Sequence, residues 1–123
     1  MIAGFRKSTV YCNGVDLSVH RAGQGEPLLL LHGFPQNHMC WERVAPQLAR
    51  HHDVIIPDLR GYGDSEAPPN ESGDVTYSKR TMAQDIADLL TALAVKRANV
   101  LGHDRGARVA YRFALDHPER VNK

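Results

Sequence analysis

The chain has 123 residues, 42% of them hydrophobic and 24% charged, with 15 Lys and Arg against 14 Asp and Glu. That length supports one domain at most, 1–123, and suffices for a packed core. The balance of charge, with no block of like sign, excludes a field that would recruit nucleic acid or an anionic membrane.

In chain order, residues 5–22 are expected to form a hairpin. Val15, Leu17 and Val19 alternate with polar residues at strand period, and Asn13-Gly14 is a strong turn signal. The first arm, Phe5 to Cys12, alternates poorly. Gly23-Gln24-Gly25 then breaks the chain. Leu28 to Leu31 is a continuous apolar run, as in a parallel strand covered on both faces, and it ends at the turn His32-Gly33-Phe34-Pro35. Trp41, Val44, Ala45 and Leu48 form one helical stripe, with Trp41 assigned to the core and Pro46 able to kink or restart the helix. Val54-Ile55-Ile56 is a second buried strand, stopped by Pro57-Asp58. Gly61, Gly63, Pro68, Pro69, Asn70 and Gly73 make residues 59–76 a long loop, which Asp58, just before it, and Arg60 are expected to stabilise.

Met82, Ile86, Leu89, Leu90 and Leu93 mark a helix with Ser78 or Thr81 as its N-cap. Ala98 to Leu101 is a third buried strand. Val109, Ala110, Phe113 and Ala114 define a last helix that His117-Pro118 ends. A hairpin followed by strands alternating with helices is an α/β order, built by right-handed crossovers onto a parallel sheet.

Met1 to Gly14 lacks the apolar core of a signal peptide, and no apolar run could span a bilayer. The expectation is a cytoplasmic protein with Cys12 and Cys40 as free thiols. No Cys/His set has zinc-ligand spacing, and Gly61-Tyr62-Gly63 lacks the third glycine of a dinucleotide fingerprint. Neither metal nor cofactor is expected.

The chemistry concentrates at Gly102-His103-Asp104-Arg105-Gly106, between the third strand and the last helix. This is the G-x-S-x-G nucleophile elbow with Asp in the central position. Small residues two positions either side are needed because a strained turn presses those positions against neighbouring backbone. The helix N-terminus behind the turn suits an anionic nucleophile. The Arg105 amide is positioned to stabilise an oxyanion, and the Phe34 amide is the expected second donor. Asp104 as a mere N-cap is the bland alternative. His32 and His103 are read as packed turn residues without a catalytic role, and His51-His52 lacks ligand partners.

Taken together, His32-Gly33-Phe34-Pro35-Gln36-Asn37, Asp58-Leu59-Arg60-Gly61-Tyr62-Gly63-Asp64-Ser65, Gly102 to Arg108 and Asp116-His117-Pro118 resemble the N-terminal part of an α/β-hydrolase. The resemblance is to the branch of haloacetate (fluoroacetate) dehalogenases and epoxide hydrolases, and it covers most of the chain from residue 26. Epoxide hydrolases typically carry Trp after the aspartate, whereas here Arg105 stands there and Arg108 follows one turn later. Residues i and i+3 lie side by side on a helix, so the two guanidinium groups are expected to converge over Asp104 and to keep it ionised. Paired arginines match a carboxylate, and the resemblance implies that Arg105 and Arg108 bind the carboxylate of a short haloacid. It further implies that Asp104 displaces halide to give a covalent ester, which a histidine-activated water then hydrolyses.

In this fold the acid and the histidine follow the nucleophile. The only histidine after Asp104 is His117, at the far end of the last helix. The expectation is therefore an incomplete core: the N-terminal portion of a longer enzyme that acts on a carboxylated small molecule, with a homodimer possible for the whole. Later strands, cap, acid and histidine are absent, and the chain alone is expected to be inactive. Two alternatives stand beside the dehalogenase: an epoxide hydrolase, and a non-catalytic fragment that associates through an open sheet edge.

Overall fold

The computed structural model describes residues 2–69 and 76–123. Asn70 and Gly73 of the expected long loop lie outside those residues. Five strands form one sheet: β1 (Arg6–Cys12), β2 (Val15–Ala22), β3 (Glu26–Leu31), β4 (His52–Pro57) and β5 (Asn99–Gly102), in the order β1-β2-β4-β3-β5. β1 and β2 pair antiparallel through the Asn13-Gly14 turn, where both residues have positive φ, 52° and 82°. β3 pairs parallel with both β4 and β5, so the continuous Leu28–Leu31 run is central. β1 lies at an edge with mostly exposed side chains, which explains why Phe5 to Cys12 lacks a clean alternation.

The two faces of the sheet separate the core by strand period. Leu29, Leu31 and Ile55 pack with Leu89, Val109 and Phe113 of α2 (Lys79–Ala92) and α3 (Arg105–Asp116). Leu30, Val54 and Ile56 point the other way and pack with Ala45 of α1 (Ala45–Leu48) and with half-buried Trp41. The expected helix over the Trp41–Leu48 stripe is not continuous. A 3₁₀ turn, His38–Trp41, precedes α1, which starts anew with Pro46 in its first turn. Proline cannot donate to the preceding turn, and it is well suited to a helix start.

Of the two candidate caps of α2, Ser78 is the one used: its Oγ accepts from the Thr81 amide at 3.1 Å. His117 ends α3, its amide donating to the Phe113 carbonyl. The outer edge of β5 is less open than expected. The Val100 amide donates to the Lys123 carbonyl at 2.9 Å, and the Asn122 amide donates to the Ala98 carbonyl at 2.9 Å. Both cysteines are free, Cys12 buried and Cys40 exposed. No helix among the described residues is long and apolar enough to cross a membrane.

Candidate active site

The site lies at the C-terminal ends of the parallel strands, where β3 runs into His32-Gly33-Phe34 and β5 runs into His103-Asp104. The two turns are held together by backbone, the His103 amide donating to the Leu31 carbonyl at 3.0 Å. Close approach is possible only because glycine stands at the contacts. A Cβ on Gly106 would lie 2.2 Å from the Leu31 carbonyl oxygen and 2.3 Å from that of His32. One on Gly33 would lie 2.5 Å from the Asp104 Cβ.

Asp104 has φ 56° and ψ −118°, a region whose occupancy by a non-glycine residue costs about 1–3 kcal/mol. It precedes α3 but makes no side-chain capping bond, so the N-cap reading fails. The carboxylate turns back across the elbow, and Oδ2 accepts from the Phe34 amide at 3.0 Å. The Phe34 and Arg105 amides, in that order, are the main causes that hold its pKa below the ordinary 3.8. The direction agrees with expectation but the cause differs: the Arg105 charge is the weakest contribution given and Arg108 is not among them. Backbone donors touch the carboxylate directly, while guanidinium groups on exposed side chains are screened by solvent.

The two arginines line different cavities. Arg105 lines a cavity of about 340 Å³ with Phe34, Tyr62, Tyr77, Lys79 and Met82. Its guanidinium carbon stands 4.7 Å from the centre of the Phe34 ring, a cation–π distance. Arg108 lines an adjoining hollow of about 370 Å³ beside Tyr111 and Lys79. The Lys79, Tyr62 and Tyr77 walls were not legible in the sequence, because they come from a loop and a helix start that only the fold brings to the elbow. Arg112 pairs with Asp116 at 2.9 Å, one turn along α3.

His32 is a structural residue. Its Nε2 accepts from the Leu59 amide at 2.9 Å, which leaves Nδ1 to donate to the Gly33 carbonyl at 3.0 Å. Both ring nitrogens are committed in the neutral form, and burial lowers its pKa. Asp58 is fully buried and ties the turns on either side of the site. It accepts from the His38 amide and ring, and from the Asp64 amide. Arg60 forms a buried two-point pair with Asp85, at 2.9 and 2.8 Å. His117 is the C-cap of α3, about 20 Å of helix from Asp104. No group of three His, Cys, Asp or Glu among the described residues could hold a metal ion.

A hollow of about 670 Å³ lies at the opposite ends of the parallel strands, lined by Arg6, Arg21, Gly23 and Asp53. Arg21 is engaged there by Asp53 at 2.7 Å, and nothing of the elbow reaches it.

Residues 26–123 match the family model described as the alpha/beta hydrolase fold. The chain is 46% identical over 121 residues to a fluoroacetate dehalogenase of Burkholderia sp, covering 98% of this chain and 40% of that protein. It is 44% identical over 111 residues to a soluble epoxide hydrolase of Corynebacterium sp. (strain C12), covering 90% of this chain and 37% of that one. A crystal structure from Nostoc sp PCC 7120, described as an alpha/beta hydrolase, superposes with a TM-score of 0.95 at 48% identity, covering 98% of this chain and 42% of that one. The chain thus spans about 40% of the length of the curated relatives it matches.

Proposed function

We infer that this chain, which belongs to the alpha/beta hydrolase fold family, carries the nucleophile half of a hydrolytic dehalogenase acting on short haloacids. The observation that carries the reading is the exposed Asp104 carboxylate, with Oδ2 held by the Phe34 amide. The other oxygen, Oδ1, attacks the α-carbon of a haloacetate. The carbon–halogen bond breaks, the halide leaves with the bonding pair, and Asp104 becomes an alkyl ester. The amide-held Oδ2 is then the ester carbonyl oxygen. Water that has lost a proton to a base attacks that carbonyl carbon, and the negative charge falls on the oxygen already held by the Phe34 amide, with the Arg105 amide as the second donor of the proposal. Collapse expels the hydroxyacid and returns the carboxylate. Neither His32 nor His117 supplies the base, one being committed and the other remote.

Arg105 and Arg108 favour a substrate with a carboxylate, since a guanidinium pairs with one in two-point fashion. Epoxide opening by the same carboxylate is the second reading, favoured by the epoxide hydrolase likeness. The test is a single turnover of the intact protein on chloroacetate in ¹⁸O-water. The proposal expects halide release, unlabelled glycolate and ¹⁸O in Asp104. Labelled glycolate with an unlabelled Asp104 would mean direct attack by water and would overturn it. Diol formation from an epoxide without halide release would move the function to the second reading.

A further inference from the structure

Lys79 is the first residue of α2, directly after the Ser78 cap. A cation there opposes the helix dipole, and the first turn of α2 holds no acid to offset it. Among the described residues no carboxylate pairs with it. It is half-buried, and it is the residue common to the Arg105 cavity and the Arg108 hollow. Burial first, then the charges of Arg105 and Arg108, lower its pKa, so Lys79 lies within the field of both arginines. Arg105, Arg108 and Lys79 therefore line two spaces that share Lys79, while Arg112 of the second is already paired with Asp116. Helix formation and packing give no return for that arrangement; an incoming anion does.

We propose that Lys79 is a specificity-determining residue that joins the Arg105 cavity and the Arg108 hollow into one cationic trough and selects substrates bearing a carboxylate. This rests on the functional reading above and adds to it the group that excludes neutral analogues. Arg105 stands over the Phe34 ring, Arg108 lines the hollow that Tyr111 also lines, and Lys79 lines both spaces. An ammonium on a flexible stem can follow the carboxylate as it enters, which the paired geometry of the arginines does not require.

The experiment compares chloroacetate with its neutral analogue chloroacetamide in the intact protein. Lys79→Met is expected to raise KM for chloroacetate about tenfold, with kcat changed less than about twofold. Its kcat/KM for chloroacetamide should stay at the wild-type value, and Lys79→Arg should recover most of the loss. The rise in chloroacetate KM with added salt should also be shallower in Lys79→Met. An unchanged chloroacetate KM, or an equal loss on both substrates, overturns the proposal. Acetate binding by calorimetry separates the two readings without turnover. Acetate affinity that depends on Lys79 in a protein releasing no halide sinks the dehalogenase reading and upholds the role of Lys79. Acetate affinity equal in wild type and Lys79→Met sinks that role.

Discussion

The Phe34 amide donates to Asp104 Oδ2 at 3.0 Å although the two residues are 70 positions apart. Two turns that follow different strands thus meet on one carboxylate. This contact, more than the neighbouring positive side chains, sets the charge state of Asp104. Amide donors favour the ionised form, so Asp104 should titrate below its ordinary 3.8. A carboxyl whose folded pKa is depressed contributes stability above its unfolded pKa and loses it as pH falls through the folded value. The rate of halide displacement should accordingly not fall between pH 6 and about pH 4.5 on account of Asp104. Carbon NMR of the Asp104 carboxyl measures the titration, and a midpoint at or above the ordinary value would remove the amide argument.

Gly106 offers a separate test of how the elbow is packed. Its absent Cβ faces two backbone carbonyls, those of Leu31 and His32, at 2.2 and 2.3 Å. Backbone of a central strand cannot give way as a flexible side chain would, so Gly106→Ala must push α3 off β3. The expected loss is about 3 kcal/mol in urea unfolding, with activity falling at the same time. Gly14 is the contrast. Nothing lies within 4 Å of its Cβ position, but its φ is +82°. Gly14→Ala should cost only the backbone strain, about 1–2 kcal/mol, and leave activity intact. Equal losses at the two positions would contradict this.

The sequence already carried the alternation of strands and helices, because the buried runs Leu28–Leu31 and Val54–Ile56 and the stripes led by Met82 and Val109 follow clean periods. It also carried the elbow, since Gly102, Asp104 and Gly106 are adjacent in the chain. Two things were not legible. Pro46 falls within an apolar stripe, and spacing alone could not decide between a kink and a restart, which the 3₁₀ turn before α1 resolves. Lys79, Tyr62 and Tyr77 belong to the cavity through three-dimensional proximity alone. Arg105 and Arg108 line different spaces, which their i and i+3 spacing does not reveal.

Arg60 and Asp85 are 6% and 2% exposed and exchange two hydrogen bonds. Arg60 also donates to the Thr76 and Asn13 carbonyls, and Asn13 donates to Asp85. The pair thereby ties the first hairpin, the loop before α2 and α2 itself. Removing one partner leaves the other charged, buried and unpaired. Asp85→Ala or Arg60→Met should each cost about 3–5 kcal/mol. The double variant Arg60→Met with Asp85→Leu should recover part of that loss, because no orphan charge remains. Losses that simply add in the double variant would show that the pair is not coupled.

His20 gives the chain a dependence on acid that is unrelated to the chemistry at Asp104. The residue is 1% exposed, its ring stacks on His38 at 3.9 Å, and Nδ1 has no hydrogen-bond partner among the described residues. Burial first, then the neighbouring His38, lowers its pKa, and burial does the same to His32. A histidine whose folded pKa lies below its unfolded value takes up its proton first in the unfolded chain. Stability is then fully present above about pH 6.5 and falls as pH drops from there toward the folded pKa. Urea midpoints should decline between pH 7 and pH 5. His20→Phe keeps a ring against His38 while removing the orphan nitrogen and the proton uptake. That variant should be no less stable than wild type at pH 7 and more stable at pH 5, with a shallower slope between them. His32 must retain part of the slope, since its two bonds to Leu59 and Gly33 persist only while the ring is neutral. An unaltered slope in His20→Phe would assign the acid sensitivity to His32 and leave His20 as packing alone.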